Sequence, residues 1–188
     1  MTLVDADLAA PALAVRLGIP PRPDLADAVD HVHANGSPPR EMLTQVGRLH
    51  VLPGSHRPGE PPLRPEPVFD VIDALRTMNT VVVDVGPWPN GDDVLKASTT
   101  AVVVIDSGPI GIVRAATMLA EWAGPPPSIV LNRVRRGSED DTLTAVRRWI
   151  GLDPIALIQA SGGIRRSAIG GEAPGGRLLA ALTKAEIR

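Results

Sequence analysis

The chain has 188 residues, 44% of them hydrophobic, and carries 19 basic against 21 acidic side chains for a net charge of −2. That balance excludes a disordered or strongly polycationic polypeptide and is enough to build one domain with a proper core, expected over residues 1–188. The absence of cysteine excludes a disulfide framework and a thiolate metal centre. No run approaches the ~18 apolar residues of a membrane span and no basic-then-apolar leader opens the chain, so the expected location is cytoplasmic.

Residues 2–7 (TLVDAD) form a short apolar run ending in two acids. Residues 8–18 carry Leu8, Leu13 and Leu17 at helical spacing and stop at Gly18, which predicts a helix with a glycine C-cap. IPPRP at 19–23 breaks regular structure. Asp24 then caps a helix expected over 24–33, and NGSPP at 35–39 is a turn. RLHVLP at 48–53 reads as a strand, followed by a proline-rich loop of low order over 54–67. An amphipathic helix is expected over 68–78, with Val68, Ile72 and Leu75 on one side.

TVVVDVGPWP at 80–89 is the centre of the pattern. Its three valines predict a strand buried on both faces, as in a parallel α/β sheet. AVVVID at 101–106 predicts another such strand, 111–123 a helix, 128–134 a strand, 140–150 a helix, 155–159 a last short strand and 177–187 a closing helix. Strand and helix alternate across nearly the whole chain. The expected fold is therefore a three-layer α/β domain, with a mostly parallel sheet and helices on both faces.

An acid at the carboxyl end of a buried parallel strand sits where open α/β sheets bind ligands. Asp84 fits a role in ordering a magnesium ion beside a phosphate, or it caps the turn that follows. Read from the residues alone, Asp7 caps the helix after it and Asn132 closes an Asx turn. The histidines point to no metal. His31 and His33 are two apart on a helix, which turns them to different sides, His50 falls on a strand and His56 in a loop. The serines lack a G-x-S-x-G elbow.

Charge is unevenly spread, with 9 Lys/Arg against 15 Asp/Glu in residues 1–132 and 10 against 6 in residues 133–188. The basic end is nearly all arginine. A solvated helical face is the commoner cause of such a run, and contact with nucleic acid is the alternative. Four aromatic residues are too few for a base-stacking platform.

Taken in order, LVDADLAAPAL, RLHVLPG, TVVVDVGP, AVVVIDSGPIGIVRAATML and SIVLNRV resemble the MinD/ParA family of P-loop ATPases, closest to the branch called CpaE or TadZ. The similarity runs from Thr2 to about Leu182. It implies ATP and Mg2+ as cofactors, with Asp84 as the Walker B acid, Asp5 beside it on the metal, Asp7 orienting the attacking water and Gly86 opening a switch segment. It also implies that Asn132 and Arg133 hold adenine. A homodimer around nucleotide in a full-length form is implied too, as is a protein partner from a partition, division, pilus or secretion system. Packing of the last helix against the sheet is favoured over membrane binding.

Two departures stand out. Gln159 and Ser161 follow the last strand where the family has Pro and Asp. No G-x-x-x-x-G-K-[ST] exists, and the two lysines, Lys96 and Lys184, are not placed to serve a phosphate loop. The resembled fold has its first strand mid-sheet, whereas this sequence opens at the second. Met1 is accordingly expected to be an internal or truncated start, with little or no ATP turnover by the 188 residues. The rival expectation is a degenerate relative that binds partners without turnover.

Overall fold

The computed structural model describes residues 1–61, 63–88 and 92–163. The closing helix expected over 177–187 lies outside them. The chain divides into two compact units, Met1–Val94 and Leu95–Arg188.

In the first unit, strands β1 (Thr2–Asp5), β2 (Thr44–Val46), β3 (Leu49–Leu52) and β4 (Val81–Asp84) pair in the order β2-β3-β1-β4. β1 runs parallel to both β3 and β4, and β2 returns antiparallel to β3. Gly47, at a φ of 59°, makes the two-residue turn of that hairpin. Helices α2 (Leu25–Asn35) and α3 (Pro65–Arg76) supply Leu25, Val29, Val68, Val71 and Leu75 to a core shared with Val4 and Leu52. Asp24 starts α2 through a capping box, accepting from the backbone of Ala26 and Asp27 while Asp27 accepts from the backbone of Asp24. Pro65 opens α3 at a position where no N–H is needed.

The helix expected over 8–18 shrinks to α1 (Leu13–Leu17). Gly18 closes it in the left-handed region, as the sequence predicts. Pro11 biases Ala10 away from helical backbone, and the Asp5 and Asp7 carboxylates bind the amides that would have propagated the helix. Nor is the proline-rich loop free of anchors. Arg57 reaches Asp24 and Asp27 at 2.8 and 2.6 Å and ties the loop to the start of α2.

In the second unit, β5 (Ala101–Asp106), β6 (Pro127–Val134) and β7 (Ala156–Gln159) form a parallel sheet in that order. Helices α5 (Pro109–Ala120) and α6 (Glu139–Trp149) pack Ile112, Ala115 and Val146 on Ile105, Ile129 and Leu131. A short helix, α4 (Asp92–Ala97), precedes β5 and has no counterpart in the sequence expectation.

The alternation of strand and helix holds except at α1–α2 and the β2–β3 hairpin, but burial on both faces does not. Val81 and Val83 pack on the first core while Val82 is 44% exposed, and on β5 Val102 and Val104 are 44% and 60% exposed. β4 and β5 each end their sheet, so a strand that reads as central carries an uncovered face and an edge without a partner among the described strands.

Candidate functional site

The carboxyl ends of β1, β3 and β4 bring one acidic rim together. Asp5 and Asp84 are direct partners in the β1–β4 register, and the Ala6 amide donates to the Asp84 carbonyl at 2.8 Å. Asp84 Oδ1 accepts from the Gly86 amide at 3.0 Å, which makes the turn. Among the described residues its Oδ2 has no donor.

Asp7 Oδ1 accepts from the amides of Ala9 and Ala10 at 3.2 and 3.0 Å. A Cβ placed on Gly86 would fall inside the Asp7 carboxylate. Gly86 also has a φ of 71°, so glycine is required there by backbone conformation and by the neighbour it touches.

Asp5 differs from the other two. It is 1% exposed, and its Oδ2 accepts from Ala12 and Leu13, both at 2.9 Å, while Oδ1 accepts from Asp7 at 3.3 Å. Burial pushes its carboxyl above the usual range against the pull of those three amides, and the Asp84 charge adds to the rise. Asp5 therefore anchors the loop that carries Asp7. Gly54, just past β3, is the residue the sequence reading missed. A Cβ there would overlap Pro11 and crowd the Asp5 carboxylate. Its signal was the Leu-Pro-Gly at the end of a strand, a glycine placed where a backbone must pass close.

Oxygen ligands with an unshared lone pair suit a hard cation such as Mg2+, which takes one or two carboxylates and completes its shell with water or phosphate. Asp84 Oδ2 and Asp7 Oδ2 meet that description. Among the described residues no group of three or more histidine, aspartate or glutamate side chains converges on a metal position. The donor set thus fits an ion shared with a ligand rather than a closed protein cage.

In the second unit, Asn132 pairs with Asp106 across β5 and β6, and its carbonyl accepts from Ser107 at 3.0 Å. Among the described residues Arg133 is the non-glycine residue with positive φ, at 62°, and its guanidinium meets Asp106 at 3.2 Å. Gln159, at the departure from the resembled pattern, bridges Arg136 at 3.4 Å and Glu139 at 3.1 Å. It fastens the segment between β6 and α6 to the end of β7.

Solved structures with this architecture span nearly the whole chain. A ParA family ATPase from Chlorobium tepidum superposes with a TM-score of 0.77 at 19% identity, over 96% of this chain and 82% of that one. The fold is that of the ParA/MinD ATPases. A chain of the MinC:MinD cell division protein complex of Aquifex aeolicus matches at a TM-score of 0.69 and 17% identity, over 92% and 73% of the two chains. The septum site-determining protein MinD of Pyrococcus horikoshii, complexed with Mg-ADP, matches at 0.67 and 18%, over 98% and 80%. No family model matches the sequence, and no curated protein matches it. Among the described residues no helix is long and apolar enough to cross a membrane.

Proposed function

We propose that this chain is the nucleotide-handling domain of a positioning or assembly ATPase of the partition, septum-siting or pilus kind. The adjacency of Asp5, Asp7, Asp84 and Gly86 on one strand rim carries the reading. Asp84 would hold Mg2+, with Asp5 behind it fixing the loop geometry, and Asp7 would orient water. When bound, the ion would neutralise charge on the transferring phosphoryl group. Asn132 would offer its amide to adenine. Arg133 would stack on the base after leaving Asp106, an exposed ion pair whose loss costs at most about 1 kcal/mol. Assembly with a second copy around nucleotide and docking of a protein partner belong to the same reading.

A non-catalytic interaction module built on this fold is the second reading, favoured by the lack, within these 188 residues, of a glycine-rich loop ending in Lys-Ser or Lys-Thr. Thermal unfolding with and without Mg2+ and nucleotide tests the two. The first reading expects Mg2+ with ATP to raise the midpoint of the parent and not of Asp84→Asn or Asp7→Ala. An identical response from all three proteins would leave the interaction module standing.

A further inference from the structure

We infer that a cavity between α5 and α6 binds a short apolar zwitterion of dipeptide size, carrying a free carboxylate and a free ammonium group. The cavity measures about 790 Å³ and opens at the carboxyl ends of β5 and β6. That is within the several-hundred-Å³ range of small-molecule sites. Asn132 is not among its walls but Arg133 is, so the inference concerns the state in which Arg133 stays paired with Asp106 and has not turned to a base.

The walls and the mouth differ in character. Ile112 and Val113 from α5 face Ala145 and Trp149 from α6, giving an apolar lining. Trp149 is 56% exposed and Val113 47%, a large apolar area left in water unless something covers it. Arg148 stacks on the Trp149 ring at 5.8 Å, which restrains the indole in place.

Four charged groups line the cavity. Arg133 and Asp106 neutralise each other at 3.2 Å. Arg135 and Asp141 have no ion pair or side-chain hydrogen bond among the described residues. The Ser138 and Thr142 hydroxyls donate to the carbonyls of Arg135 and Ser138, at 2.9 and 2.7 Å, and leave lone pairs for a donor. One cation and one anion, unpaired at the exposed rim of the same cavity, complement a ligand carrying both signs. A simple anion would meet Asp141, and a simple cation Arg135, with an unfavourable term in either case.

The dipeptide leucyl-phenylalanine, with its N-acetyl and C-amide derivatives, tests this by NMR titration of the 188-residue chain. The free-ended dipeptide is expected to bind saturably, with each derivative at least tenfold weaker, about 1.4 kcal/mol. Arg135→Ala should abolish the preference for the free carboxylate while keeping that for the ammonium, and Asp141→Ala should do the reverse. Both side chains are exposed, so neither change threatens the fold. Val113→Trp, at another exposed position, should lay an indole across the apolar wall and weaken binding of all three ligands alike. Absence of saturation up to about 10 mM, equal affinity for all three ligands, or a charge preference that survives both alanine substitutions would overturn the assignment.

Discussion

Asp84 and Asp106 end their strands in the same way, and their surroundings separate them. Each is followed by X-Gly-Pro, and each accepts the glycine amide through Oδ1, at 3.0 and 2.9 Å. Asp106 then meets Arg133, whereas Asp84 faces Asp5. The crowding falls on buried Asp5, whose raised carboxyl makes the native state keep its proton at a higher pH than the unfolded chain. Stability from this group therefore falls as pH rises through that window. Asp84→Asn keeps the turn and removes the repulsion, so without Mg2+ it should stabilise the protein by about 0.5 kcal/mol, read from urea midpoints at pH 7. Gly86→Ala should cost about 1–2 kcal/mol and displace the Asp7 carboxylate, visible as a lost Mg2+ response. Arg57 works in the opposite direction from Asp84. Burial would push the Asp24 carboxyl up, but the guanidinium's hydrogen bonds and the Asp27 amide hold it below its usual range. That contribution is present above the ordinary carboxylate range and is lost as pH falls through the depressed value. Arg57→Ala strands a carboxylate with 3% side-chain exposure and should cost about 2–4 kcal/mol at neutral pH. Paired unfolding curves should show the difference from the parent shrinking towards pH 3.

At the scale of elements, the pattern of side chains marked which segments are strands and helices but not which faces are covered. VVVD and AVVVID fix their backbone state through β-branched residues, and both are strands. The covering of Val82 and Val104 depends on what lies beside their edges, which no local run encodes. The N-cap at Asp24 and the glycine stop at Gly18 were readable because both act within four residues. By contrast, the start of α1 is set by Asp5, seven and eight positions upstream of the amides it binds. Helical spacing at Leu8 and Leu13 could not reveal that. β2 escaped notice because three residues carry too little periodicity and its pairing is with the next strand. Asp84 was legible as a site candidate from an acid at a strand end, and Gly54 was hidden because close approach is a property of folded backbone. Substitutions on one strand pair should separate the two faces. Val104→Thr should change stability by less than about 0.5 kcal/mol, while Leu131→Ala, fully buried on the neighbouring strand, should cost about 3 kcal/mol. Chemical denaturation of both variants measures the contrast, and equal losses would mean that Val104 is covered in solution.

For the whole molecule, the decisive balance is between the acidic rim and the phosphates it is proposed to serve. A nucleotide triphosphate brings several negative charges, and a rim of Asp5, Asp7 and Asp84 repels them unless a cation intervenes. In P-loop proteins a cradle of backbone amides and a lysine supply the opposing attraction. These 188 residues contain no G-x-x-x-x-G-K-[ST], so on the proposed reading Mg2+ at Asp84 would have to supply it almost alone. One exposed ion bridge of this kind is worth a few kcal/mol at most, against the roughly 8 kcal/mol that micromolar affinity requires. Isothermal titration with Mg-ATP should therefore give a dissociation constant weaker than about 100 μM, rising further in Asp84→Asn and vanishing when Mg2+ is chelated. Micromolar binding would mean that some other group in the chain takes the phosphates, and the fold would then hold nucleotide without the loop on which P-loop ATPases rely.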